Sequence, residues 1–417
     1  MIRNALLTLA LVAPFLAACG GGGGGSGSGG AGSSSAAGGS STASADRLCP
    51  ASLDYGTVFT GGGGDGELAK MQIDTTKMTW QVTYVESAIP AATGTVTPSR
   101  AGTTQSGTLA PETLLPTQKQ NECAFYLQGA SLDPSKPARI FVGEGVLGGT
   151  IPGKEIQYSG VLGFGAVPDK TFPYFPFIGF SSLETNLANV AGTYNQIGYH
   201  IIPSQNYATV PVDATIAINA DGTWSETDNV GQNAGKTQQA GTNWVQSSDG
   251  SGAFESENFQ SQAKATNAVT PAGKGFMIVG KLRNQLVPIL IRTGYANPST
   301  LQADDESGIS ILAPQTPIAV DTQDGQYIGV DSEFNYRATA LEGTEATMLD
   351  PYQASNASLA TPLNLSFANA VPGVVTSAVA GASSTAATGK LVFTGGVFGY
   401  LYNENSSPYF TINAFVQ

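Results

Sequence analysis

The chain of 417 residues has one histidine, His200, and three cysteines, Cys19, Cys49 and Cys123. A zinc centre with two or three imidazoles cannot be assembled from one such chain, and neither can a metallopeptidase helix with paired histidines. A Ser-His-Asp triad would have to use His200 in GYHIIPS, yet no G-x-S-x-G nucleophile elbow occurs. The plainer reading is a strand histidine satisfied by a local hydrogen bond. Charge is also scarce, at 12% of residues, with 18 Lys and Arg against 31 Asp and Glu and a net of −13. Without a basic stripe the chain has no electrostatic footprint for nucleic acid, so no nucleic-acid partner is expected. No cofactor pattern stands out, and none is expected.

Long apolar runs are missing too. ALLTLALVAPF, from Ala5 to Phe15, is uncharged but falls short of the roughly 20 residues that cross a hydrocarbon layer. It has the length of a signal-peptide hydrophobic region, with Arg3 before it and small residues after it. Leu16-Ala17-Ala18-Cys19 resembles the lipobox of bacterial lipoproteins, in which the cysteine is acylated. That resemblance implies cleavage after Ala18, acyl chains on Cys19, and outer-membrane sorting, because Gly20 stands where inner-membrane retention would need aspartate. From Gly20 to Ala45 there is only glycine, serine, alanine and Thr42, with too little apolar area to offset the entropy of ordering. Residues 1–18 are therefore expected to be a signal peptide. Residues 19–46 are expected to be an acylated tether with an end-to-end distance of about 28 Å.

The remaining two cysteines, in an exported chain, suggest a Cys49–Cys123 bridge. Beyond it the pattern has period two. In KMTWQVTYVE, Met78, Trp80, Val82 and Tyr84 fall on one face, opposite Thr79, Gln81 and Thr83, which is a half-buried strand. TIAINADGTWSE carries a hairpin turn at Asp221-Gly222, and GKGFMIVGKLRNQLVPILIRTG reads as two buried strands split at Arg283-Asn284. LVFTGGVFGYLY and YFTINAFV close the chain with further strands. SSLETNLANV is the one helical turn or two, while 229–273 and 369–389 read as long loops. The two internal prolines of FPYFPFIGF argue against a central strand.

Helices long enough for parallel crossovers are absent, so the expected class is all-β and antiparallel. Barrel, sandwich and propeller remain open, with two β regions at 47–180 and 181–417. A membrane-spanning barrel fits poorly, because most strands are shorter than the 9–11 residues it needs.

For chemistry, paired carboxylates are one route. Asp304-Asp305-Glu306, and Asp331 with Glu333, could in principle supply the two acids of a glycan hydrolase, although strand-edge solvation is the commoner role. No metal is assigned. Asp221, Asp321 and Asp324 offer oxygen ligands in tight turns, but they do not follow a calcium-loop pattern. The strongest binding candidates are Phe172, Tyr174 and Phe175, which would present a rigid apolar surface if exposed. The alternative is that the prolines fold this run over the core.

Through GELAKMQIDTTKMTWQVTYVES, IFVGEGVLGGTIPG and GTYNQIGY, the body resembles an uncharacterised family of proteobacterial lipoproteins covering most of 47–417. That resemblance implies a location and no activity. The resulting expectation is a lipid-anchored envelope or surface protein, held to the outer membrane by acyl chains, that binds a protein or glycan. An envelope or extracellular glycan hydrolase is the alternative.

Overall fold

The computed structural model describes residues 47–415, apart from 96–97, 162–164, 232, 261–272, 298–301, 354–358, 382–388 and 403–407. The expected signal segment, Cys19 and the glycine-rich stretch lie outside the described residues.

Three β units follow one another. β1 (Phe59–Gly63), β2 (Leu68–Asp74), β3 (Thr79–Glu86), β4 (Thr104–Pro111), β5 (Ala124–Leu127), β6 (Arg139–Val142), β7 (Val146–Val161) and β8 (Gly165–Phe180) form an antiparallel barrel. It closes where Thr60 of β1 lies opposite Phe180 of β8.

Next come β9 (Gly192–Ile202), β10 (Ala208–Ile218), β11 (Trp224–Asp228), β12 (Thr237–Gln238), β13 (Val245–Gln246), β14 (Phe254–Phe259), β15 (Gly273–Leu282) and β16 (Gln285–Thr293). A two-stranded ribbon of β17 (Tyr295–Asn297) and β18 (Gln302–Asp304) interrupts them before β19 (Ser307–Pro314). The nine-stranded sheet runs in the order β12-β11-β10-β9-β19-β16-β15-β14-β13.

The last unit is a second closed barrel of β20 (Gly325–Asp331), β21 (Tyr336–Glu342), β22 (Glu345–Leu349), β23 (Thr361–Ser366), β24 (Val374–Val379), β25 (Gly389–Thr394), β26 (Val397–Tyr402) and β27 (Tyr409–Phe415). The propeller reading is thus wrong: first and last strands pair with each other and close barrels, so no blades form.

Local sequence explains the hairpins. Trp80, Val82 and Tyr84 are buried along β3 while Thr79, Gln81 and Thr83 are half-buried. Arg283 and Asn284 take φ of 50° and 61° between the paired Leu282 and Gln285, and Gly395-Gly396 take 58° and 85° between Thr394 and Val397. Two successive left-handed residues match the twist of the strands they join.

The central sheet is covered on both faces, which is why its strands read as unbroken apolar runs. Ile197, Tyr199, Ile278, Ile289, Ile291, Ile309 and Ile311 share a core with the barrels. Trp224, Trp244, Phe254, Met277, Val279, Leu290 and Leu312 form a separate core on the other side.

FPYFPFIGF is a barrel strand, against expectation. β1 ends at Gly63, opposite Phe177, so Pro173 and Pro176 lie on a stretch of β8 that pairs with β7 but no longer with β1, and their missing N–H groups break no ladder there. SSLETNLANV forms only the short 3-10 turn Leu187–Asn189, because Glu184 and Lys281 tie its backbone to β15 instead. The expected loop 229–273 contains β12, β13 and β14, and 369–389 contains β24. The expected 47–180 region ends with the first barrel, whereas 181–417 holds two units rather than one. The Cys49–Cys123 disulfide is formed.

Contact between barrel and sheet requires glycine. A Cβ on Gly62 of β1 would stand 2.4 Å from Cγ2 of Ile291. Gly62→Val is therefore expected to lower unfolding free energy by about 1–3 kcal/mol, measured by urea denaturation. An unchanged midpoint would show that this contact is not tight.

Candidate functional site

Hairpin tips from all three units meet around one open cleft of about 280 Å³. The β6–β7 turn supplies Glu144, the β15–β16 turn Arg283, and the β25–β26 turn Gly395 and Gly396, while Arg47 and Leu48 enter from the N-terminal side. Leu282 and Val146 form its apolar wall. Glycine again sets the approach. A Cβ on Gly395 would lie 2.5 Å from Cγ2 of Val287, and one on Gly145 would lie 3.0 Å from Cδ2 of Leu282. Two hydrogen bonds fix the tips: Gly395 N–H donates to Oε1 of Gln285 at 2.8 Å, and the Thr394 hydroxyl donates to the Leu286 carbonyl at 2.6 Å. Arg47, Glu144 and Arg283 are exposed at the rim. The site therefore offers charges of both signs around an apolar floor on rigid backbone.

None of the candidate binding, catalytic or metal residues named from the sequence lines this cleft, although the Arg283-Asn284 turn does. Phe172, Tyr174 and Phe175 are each 1% exposed, which overturns the exposed binding surface. Phe172 packs on Phe175, Tyr207 and Phe334, with ring centroids 5.0–5.5 Å apart. Tyr174 donates its hydroxyl to the Phe334 carbonyl at 2.7 Å. Phe334 belongs to the β20–β21 turn, so the aromatic run fastens the first barrel to the second.

Four of the five candidate carboxylates are buried. Asp304 pairs with Arg292, a guanidinium that is 0% exposed and also donates to the carbonyls of Phe259, Gln260 and Glu306. Glu306 contacts Nδ1 of His200 at 2.6 Å, and Asp305 accepts from the Ser204 hydroxyl at 2.9 Å. Asp331 accepts from the backbone N–H groups of Glu333 and Asn335 and pairs with Arg337 at 2.7 Å, which staples a turn. Glu333 is exposed. The two-acid cleft of a hydrolase is not built from these residues.

Asp221 accepts from the Thr223 backbone and hydroxyl, and Asp324 from Gly343 N–H. Asp321 takes φ of 71°, and its Oδ1 would lie 3.2 Å from a Cβ built on the same Gly343. Among the described residues, no three His, Cys, Asp or Glu side chains come together to hold a metal.

A further network had no signal in the sequence beyond GGGGDGE. In the β1–β2 turn, Asp65 and Glu67 both meet Arg100, which also lies 4.0 Å from the centroid of Tyr84. The Gly66 carbonyl in the same turn accepts from Thr293 of the central sheet.

Comparison with known proteins adds the following. A model for proteins of unknown function, DUF2957, matches residues 79–414. The chain belongs to this family. No curated protein matches it. Among solved structures, a double mutant of the vaccine antigen transferrin binding protein B from Haemophilus parasuis Hp5 is 10% identical, with a TM-score of 0.21 over 84% of this chain. The isotype 1 transferrin binding protein B from serogroup B Neisseria meningitidis is 11% identical, with a TM-score of 0.19 over 84% of this chain. The DUF2957 chain spans 65% and 66% of their respective lengths. Superposition at that level says nothing about what this chain binds.

Burial raises the Asp65 carboxyl well above its ordinary range, assisted by the charge of Glu67 and opposed by Arg100. A proton held more tightly in the folded state stabilises fully below the unfolded value, near 3.8, and that contribution is lost as pH rises through the folded value. Asp65→Asn mimics the protonated acid. Unfolding free energies from pH 4 to 9 are expected to decline less steeply for this variant than for the parent. Parallel curves would show that Asp65 does not titrate differently on folding.

Proposed function

We propose that this DUF2957 protein is a lipid-anchored envelope or surface protein that uses the three-hairpin cleft to bind a protein or glycan. The observation that carries this reading is the convergence of one turn from each β unit, with the N-terminal entry of the fold, on a single open cleft. Concave sites with an apolar floor and a few fixed polar groups are the usual form of a binding site. Turns held by hydrogen bonds lose little conformational entropy when a partner docks. Arg47 and Arg283 suit acceptor-rich groups such as carboxylates and sugar hydroxyls, and Glu144 accepts from donors.

The anchor is supported by Leu16-Ala17-Ala18-Cys19 and by the glycine-rich run that follows. The cleft lies beside Arg47, the first described residue after that run. Several acyl chains would hold the protein firmly, since one chain gives only marginal attachment.

Two measurements test the two halves of this reading separately. Labelled palmitate is expected to enter the parent chain and not Cys19→Ala, and label in both would remove the anchor. For the cleft, saturable binding is expected on a glycan array or to an outer-membrane protein panel. It should weaken about tenfold or more in Arg283→Asn, a substitution that tolerates the left-handed turn. Binding that is unchanged in that folded variant and in Glu144→Gln would move the site elsewhere.

A further inference from the structure

The chemistry of the hairpin cleft narrows what can occupy it, granted the reading of that cleft as a binding site. Arg47 and Arg283 stand with one acid, Glu144, so the rim carries a positive excess in a chain whose net charge is −13. Arg283 is positioned by the neighbouring unit. A Cβ built on Gly396 would lie 3.3–3.4 Å from Nε, Cζ and Nη1 of Arg283. Three guanidinium atoms at one distance mean that the group lies flat on the bare β25–β26 turn. A guanidinium held by its face carries its N–H donors at the edge, where a carboxylate pairs with it through two parallel bonds.

Other occupants fit less well. Among the described residues, the cleft is lined by no aromatic ring and by no hydroxyl or amide side chain. A neutral sugar is left without a flat surface for its apolar face, and without side chains that both donate and accept toward its hydroxyls. A divalent cation would meet one carboxylate, where calcium takes about six or more oxygen ligands. The volume of about 280 Å³ is at the low end for ligand sites and suits the end of a chain rather than a long segment.

We propose that the cleft receives the carboxyl terminus of a partner protein that ends in an aliphatic residue. The terminal carboxylate pairs with Arg283, and Arg47 adds charge from the N-terminal side. The last amide N–H donates to Glu144, and the aliphatic side chain rests on Leu48, Val146 and Leu282. Each of the three groups of such a chain end then has a counterpart of matching chemistry. An internal backbone segment lacks the carboxylate and leaves the guanidinium without its partner.

The test is fluorescence anisotropy of the full chain in detergent with fluorescein-labelled pentapeptides ending in leucine, valine or isoleucine. At least one free acid is expected to bind saturably, and its carboxyl-terminal amide about tenfold more weakly. An amidated peptide with an internal aspartate is expected to bind as weakly as the plain amide. Arg283→Asn is expected to bring the acid-to-amide ratio to within about twofold, a change that a general loss of stability does not produce. Glu144→Gln is expected to weaken acid and amide alike. Should Arg283→Asn fail to fold, Arg47→Gln at the exposed chain entry decides by the same ratio. Absent binding of every acid, equal binding of acid and amide, or a ratio unchanged in both arginine variants overturns the proposal. A glycan that binds instead and is lost in Arg283→Asn overturns it while the cleft reading stands, whereas binding indifferent to both arginine variants and to Glu144→Gln removes the cleft reading as well.

Discussion

The two barrels can seat on one face of the central sheet only because glycine backbone is brought against isoleucine side chains. Gly62 of β1 meets Ile289, Ile291 and Ile309, and Gly399 of β26 meets Ile197 and Ile311. One barrel is thereby seated on the sheet through β1 and the other through β26. A fully buried isoleucine contributes about 1.5–3 kcal/mol, so the row of them on this face is a large part of what joins the units. The position of the hairpin tips follows from that seating.

Buried charge is paired mainly within single units, Arg292 with Asp304 in the central one and Arg100 with Asp65 and Glu67 in the first barrel. Arg292, Arg100 and Arg139 are each nearly inaccessible and each paired with a carboxylate. Removing one partner of a buried pair typically costs about 3–5 kcal/mol, although an apolar replacement of the whole pair can be neutral. Such networks say more about which surfaces meet than about total stability. Arg139 illustrates this: it pairs with Glu112 and Tyr126 in the first barrel and lies 3.6 Å from the ring centroid of Tyr352 beside the second. Arg139 thus ties its charge pair in the first barrel to aromatic rings of the second.

Strand identity was legible where alternation or turn chemistry carried it. KMTWQVTYVE, the Asp221-Gly222 turn and the Arg283-Asn284 turn were all readable, because each depends on neighbours in sequence. Closure into two barrels depends on first-to-last strand pairing, which leaves no local mark. The prolines of FPYFPFIGF misled for a related reason: whether a strand can lack an N–H depends on where its partner ends. The acidic run Asp304-Asp305-Glu306 looked like one cluster, yet its members face Arg292, Ser204 and His200 separately. The cleft itself was out of reach, since Arg47, Glu144, Arg283 and Gly396 share no sequence spacing. Their turns were visible, but their convergence was not.

The Cys49–Cys123 bridge also determines how the fold responds to mechanical load. A pull applied through the residues before Arg47 would otherwise reach β1 first and peel it from β2 and β8 one hydrogen bond at a time. With the bridge in place, tension passes directly from Cys49 to Cys123, which are separated by 74 positions. β1 to β4, including the turn that carries Asp65 and Glu67, lie outside the force path. The strand that seats the first barrel on the sheet is thus shielded from whatever tugs at the amino-terminal end of the domain.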